Sequence, residues 1–112
     1  MGARHLELPA GIVEAGESYE AAGARELAEE TGFAAESVTL LQTVDVATGV
    51  LRHERGLVVA EGLVPGEPDR EGTEFIEVTT RPVDAAIDAA REPPCNDATL
   101  EGLLVAEADG WL

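Results

Sequence analysis

Three carboxylates fall within five residues of one another, at Glu26, Glu29 and Glu30. The segment around them reads as a helix, and this combination constrains the chain more than any other feature. Ser18 is a plausible N-cap, Glu20 sits well in a first turn, and the helix runs to about Glu30. Thr31-Gly32 ends it, with Gly32 as the C-terminal cap and Phe33 packing back. Spacings of three and four bring Glu26, Glu29 and Glu30 to one side of that helix. Three carboxylates so close repel one another. Solvent makes the arrangement tolerable, and a divalent cation makes it favourable. Oxygen ligands of this kind suit Mg²⁺ or Mn²⁺. Arg25 precedes the cluster and can orient a carboxylate by a bidentate pair, and Glu17, two turns back, can meet the same arginine. Gly23 inside the helix costs about 1 kcal/mol relative to alanine, so packing must hold it.

The competing reading is a solvated acidic helix face, because the chain is acidic throughout. It carries 23 Asp and Glu against 7 arginines and no lysine, a net charge of -16 over 112 residues. Such a balance opposes nucleic-acid binding and anionic membrane surfaces. No apolar run approaches the ~20 residues of a membrane span. Met1 to Leu8 lacks the apolar centre of a signal peptide, and the single Cys95 suits a reducing compartment, so a cytoplasmic location is expected. The length suits a single domain spanning 1–112.

The rest of the chain reads as strands and helices without repeats. His5 to Pro9, Val38 to Val46, Arg55 to Val64 and Glu74 to Thr80 have strand patterns. Pro82 opens a helix to about Arg91, and Asn96-Asp97 caps a last one. Leu100, Leu103, Leu104 and Trp111 are expected in the core of that last helix.

The helix has a longer context. Gly11, five residues, Glu17, seven residues, then Arg25-Glu26-Leu27-Ala28-Glu29-Glu30-Thr31-Gly32-Phe33 matches the whole signature of the Nudix hydrolases. At roughly 7% per fixed position, such a match arises by chance about once in 10⁸ windows, and the excess of Glu here raises that by about two orders of magnitude. The flanks Leu6 to Gly11, Arg55 to Leu63, Glu74 to Val78, Pro82 to Ile87 and Asn96 to Leu104 resemble the ADP-ribose pyrophosphatase branch. The resemblance implies a Nudix fold of α/β (α+β) type, a mixed β-sheet between α-helices, shortened at its N-terminus. It implies Mg²⁺-dependent hydrolysis, with Mn²⁺ as an alternative ion, of the pyrophosphate in a nucleoside diphosphate derivative. ADP-ribose or another nucleotide sugar is preferred. Glu26, Glu29 and Glu30 are then the metal-binding carboxylates, and the Ala10 carbonyl is a further ligand. Arg25 and Glu17 orient them beside Gly11. The base that activates water stays open among the three carboxylates and Glu54. Repulsion between a pyrophosphate and this acidic protein is one physical reason to require the cation.

The chain departs from the branch in three places. Thr48 replaces a proline, His53 stands where an acid is usual with Glu54 beside it, and only ten residues precede Gly11. His53 is retained as a candidate site residue, as is Glu74 as an extra acid; an exposed loop and a solvated strand face compete with those assignments. The short start leaves three alternatives: a fragment, a misplaced start, or a reduced protein whose open sheet edge is covered by a second copy in a homodimer. It also keeps a second function in view, a nucleotide-binding Nudix module with weak or no turnover.

The acidity carries its own expectation, a protein adapted to high salt, where screening removes self-repulsion. Lowering salt from molar to millimolar should unfold the chain, read as loss of far-ultraviolet circular dichroism. A signal unchanged over that range contradicts it.

Overall fold

The structure, a computed structural model, describes residues 6–47, 49, 52–67 and 77–112. In chain order the elements are α1 (Tyr19–Thr31), β1 (Ala34–Ala47), β2 (Arg52–Val64), α2 (Val83–Ala90) and α3 (Asp97–Ala108). The chain divides into two compact units, 9–76 and a second made of 1–8 with 77–112.

In the first unit, local chemistry sets both ends of α1. The Ser18 hydroxyl accepts from the Ala21 amide at 3.1 Å, and Gly32 takes the left-handed conformation at φ 81° while its amide bonds the Ala28 carbonyl. β1 and β2 pair antiparallel from Ala34↔Val64 to Ala47↔Arg52, with an irregularity between Leu40 and Gln42. β1 starts four residues before the expected Val38. Its alternation is weak there, but β2 is long enough to supply ladder partners as far as Val64.

α1 lies on this hairpin and advances in step with β2. A Cβ on Gly56 would overlap the Tyr19 ring, and one on Gly23 would stand 2.6 Å from Val58 Cγ2. Four helical residues rise about 6 Å and two strand residues about 6.6 Å, so the register holds along both elements. Past the end of β2, a Cβ on Gly66 would stand 2.7 Å from the Gly32 carbonyl oxygen. Among the described residues of this unit, Ala22 and Leu57 are the buried apolar ones.

In the second unit, α2 and α3 pack through small residues, with Ala90, Thr99 and Ala106 buried. Pro82 is the N-cap of α2 rather than its first residue, and the Asn96 side chain caps α3 by accepting from the Thr99 amide at 2.9 Å. Among the described residues no helix is long and apolar enough to cross a membrane.

Three expectations change. Residues 6–9 are not a strand, and the polar groups of Glu7 and Leu8 turn to the start of α3. The Leu8 amide donates to Thr99 Oγ1 at 3.2 Å, and Glu7 accepts from Asn96 Nδ2 at 3.4 Å. Residues 77–80 form no strand ladder and lead directly into the cap of α2, while 74–76 lie outside the described residues. The described sheet is therefore the antiparallel β1–β2 pair, within an α+β arrangement. Leu104 and Trp111 are not core: Leu104 is 50% exposed on α3, and Trp111, 39% exposed, lies beyond α3 with its amide on the Ala106 carbonyl at 2.9 Å.

The contact at Gly23 generates a prediction. In an open helix, Gly→Ala gains about 1 kcal/mol. Here the added methyl meets Val58, and overpacking costs about 1–3 kcal/mol. Gly23→Ala should lower stability in urea unfolding by up to about 2 kcal/mol, and Val58→Ala should relieve the penalty. A gain of about 1 kcal/mol on Gly23→Ala alone contradicts this packing.

Candidate active site

The segment from Ala10 to Glu17 leads into α1, and Arg25 organises both. Gly16, at φ 80°, lets the chain turn before the helix cap. The turn is closed by the Glu17 amide on the Glu14 carbonyl and by the Glu14 amide on Glu17 Oε1, both at 3.0 Å. Arg25 then engages every N–H it carries. Nε donates to Glu17 Oε2 at 2.8 Å and Nη2 to Glu17 Oε1 at 3.0 Å, a bidentate pair. Nη2 also donates to the Ile12 carbonyl at 2.8 Å, which fixes the segment to the helix. Nη1 donates to Glu26 Oε1 at 2.8 Å and to Glu29 Oε2 at 3.4 Å. Glu14 Oε1 stands 3.3 Å from Nε.

One guanidinium thus faces four carboxylates, from Glu14, Glu17, Glu26 and Glu29, and the cluster stays net negative. Arg25, Glu17 and Glu26 are mostly enclosed, with side chains 24%, 17% and 17% exposed. Hydrogen bonds from Arg25 and from the Glu14 amide, with the arginine's charge, hold the Glu17 carboxyl down at about 2. Glu17 is therefore ionised throughout the neutral range. The Glu17 and Glu26 hydrogen bonds push the Arg25 guanidinium upward in turn.

Glu30 and Gly11 join this cluster from different sides. Glu30 Oε2 accepts from the Ala10 amide at 3.2 Å, which brings the Ala10 backbone to the carboxylate side of α1. Gly11 is required by space, since a Cβ there would overlap the Glu26 carboxylate. With Arg25 drawing Glu26 and Glu29, and Ala10 drawing Glu30, no three acidic, histidine or cysteine side chains form a ready-made metal array among the described residues. The donor set is nonetheless made of hard oxygens around a net negative charge, the chemistry that fits a hard divalent cation.

Glu54 and His53 part company on β2. Glu54, Gly56 and Val58 share the face turned to α1, and the pleat turns His53 to the other. Glu54 Oε1 accepts from the Tyr19 hydroxyl at 2.8 Å. That bond, followed by burial and the charge of Glu54, raises the Tyr19 phenol above its ordinary value. Glu74 lies outside the described residues. Sequence reasoning missed Glu14, the Ile12 carbonyl and Tyr19. For Glu14 a signal existed, since it stands three residues before Glu17 across the turn at Gly16.

Comparisons with known proteins place the chain in a family. The family model for the NUDIX domain matches residues 2–102. The chain is 31% identical over 88 residues to the ADP compounds hydrolase NudE of Escherichia coli (strain K12), covering 79% of this chain and 47% of that protein. It is 38% identical over 88 residues to an ADP-sugar pyrophosphatase of Mus musculus, covering 73% of this chain and 40% of that one. The fold matches the crystal structure of an ADP compounds hydrolase with a TM-score of 0.81 and 26% identity, covering 96% of this chain and 61% of the other. The chain spans less than half the length of these two sequence relatives. With the signature residues gathered around Arg25 in this fold, the chain belongs to the Nudix family.

Proposed function

We propose that this chain is a divalent-metal-dependent pyrophosphohydrolase acting on a nucleoside diphosphate derivative, ADP-ribose or another nucleotide sugar. The observation that carries the reading is the carboxylate cluster of α1 gathered on Arg25, with Glu30 tied to Ala10. The printed names of the relatives, an ADP compounds hydrolase and an ADP-sugar pyrophosphatase, support the adenosine diphosphate part of the substrate.

Glu26, Glu29 and Glu30, with the Ala10 carbonyl, would hold Mg²⁺ or Mn²⁺. Bound there, the cation supplies positive charge to the pyrophosphate oxygens and acidifies water. The protein's own groups do the rest. Arg25 keeps Glu26 and Glu29 from turning away from one another, and Glu17 keeps Arg25 in place. Gly11 leaves room for Glu26 against the backbone. One carboxylate among Glu26, Glu29, Glu30 and Glu54 orients the attacking water and accepts its proton on a carboxylate oxygen. The water oxygen forms a bond to phosphorus as the phosphoanhydride bond breaks, and ADP-ribose yields AMP and ribose 5-phosphate.

ADP-ribose hydrolysis should require added Mg²⁺ or Mn²⁺ and stop in chelator. Glu30→Gln should reduce turnover on the order of 100-fold, the ~3 kcal/mol of charge stabilisation lost with a displaced cation. Turnover that persists in chelator, or an unimpaired Glu30→Gln, contradicts the metal assignment. Tight ADP-ribose binding without products at any metal concentration points instead to a nucleotide-binding module.

A further inference from the structure

Ile12 follows Gly11 directly, at a position where the Nudix signature leaves the residue type open. We propose that its side chain is a substrate contact, receiving the carbon face of a ribose that adjoins the diphosphate. This rests on the reading of the carboxylate cluster as the cation and diphosphate site.

Ile12 is 83% exposed, against 37% to 53% for the other large exposed apolar residues described. Single exposed aliphatic residues are ordinary at a protein surface. This one is held in place by the site itself. The Ala10 amide donates to Glu30 Oε2 at 3.2 Å, Gly11 packs against the Glu26 carboxylate, and the Ile12 carbonyl accepts from Arg25 Nη2 at 2.8 Å. Nη1 of the same guanidinium donates to Glu26 Oε1 at 2.8 Å. Two hydrogen bonds across one planar group therefore separate the Ile12 backbone from a carboxylate of the cluster. Branching at Cβ restricts the side chain to few rotamers on that fixed backbone. Covering it thus removes apolar surface from water with little order left to impose.

The groups around it are carboxylates and backbone oxygens, which suit a cation and, through the cation, phosphate. An aliphatic side chain adds nothing to either. The carbons nearest the phosphates in a nucleoside diphosphate derivative are those of the ribose and its exocyclic methylene. Their C–H groups are apolar, while the hydroxyls can stay hydrogen-bonded to water. ADP-ribose carries such a ribose on each side of the diphosphate, so the same contact is open to the nucleoside end and to the leaving sugar.

The test uses Ile12→Ala, Ile12→Leu and a control, Val64→Ala, at an exposed residue ending β2. ADP-ribose turnover is measured with saturating Mg²⁺. AMP, ribose 5-phosphate and inorganic phosphate are each titrated into Mn²⁺-loaded protein by calorimetry. Ile12→Ala should raise KM about fivefold with kcat changed less than about twofold, because the contact is shared by ground and transition states. It should weaken AMP, ribose 5-phosphate or both by about the same factor, and the ligand that weakens identifies the end of the substrate that the side chain meets. Inorganic phosphate, which has no carbon, and Mn²⁺ alone should bind as in the parent. Ile12→Leu, which keeps the apolar volume, should stay within about twofold of the parent, as should Val64→Ala.

Unchanged AMP and ribose 5-phosphate binding in Ile12→Ala, beside a parent that hydrolyses ADP-ribose, overturns the contact and leaves the proposed activity standing. Equal weakening of inorganic phosphate or of Mn²⁺ alone also overturns it, because the residue then acts through the cluster. A parent that binds AMP or ribose 5-phosphate without ADP-ribose turnover, and binds it more weakly as Ile12→Ala, upholds the contact and overturns the hydrolase. A parent that binds none of the three overturns both.

Discussion

Arg25 is the interaction on which this site depends. Its planar fork presents five N–H donors, and all five have acceptors: two on Glu17, one each on Glu26, Glu29 and the Ile12 carbonyl. A lysine offers three donors from a single point and cannot span the same acceptors. Removing the guanidinium would leave Glu14, Glu17, Glu26 and Glu29 facing one another with nothing between them. It would also release Ile12, and with it the backbone segment that carries Ala10 and Gly11 to the helix. The arginine therefore offsets carboxylate repulsion and fixes loop against helix at once. It does not neutralise the cluster, and the remaining negative charge is what the proposed cation would offset.

Glycines set how closely the parts approach. Gly11 admits the Glu26 carboxylate against the backbone, Gly23 admits Val58 against α1, and Gly56 admits the Tyr19 ring against β2. Each is a point where a side chain would force helix and neighbour apart. The apparent cost of Gly23 in a helix is thus the condition for seating α1 on the hairpin at this distance.

What could be read in the sequence follows from how local each feature is. The ends of α1 were legible because Ser18 and Gly32 act within three or four residues of themselves. The pairing of Arg25 with Glu17 was legible too, since helix and turn spacing bring them together. The start of β1 was not, because Ala34 is in the ladder only through Val64, thirty residues on. Residues 6–9 have strand-like alternation, yet Leu8 and Glu7 bond Thr99 and Asn96, which no local pattern announces. Trp111 has helical spacing to the leucines, but α3 ends at Ala108 before the phase reaches it. Tyr19 was silent for the same reason as Ala34. Its meaning depends on Gly56 and Glu54, which fold topology brings to it.

The α1 carboxylates, as Arg25 arranges them, are proposed to bind a divalent ion. Titrating Mn²⁺ into the protein without nucleotide, and following free Mn²⁺ by electron paramagnetic resonance, tests it most directly. Saturable binding should weaken at least about tenfold when Glu26, Glu29 and Glu30 are all changed to Gln. A control with Glu61, Asp84 and Glu107 neutralised instead should bind as the parent does, since it removes the same charge from exposed positions elsewhere. Equal Mn²⁺ affinity in the two variants would mean that the ion is held by diffuse acidity and not by this site.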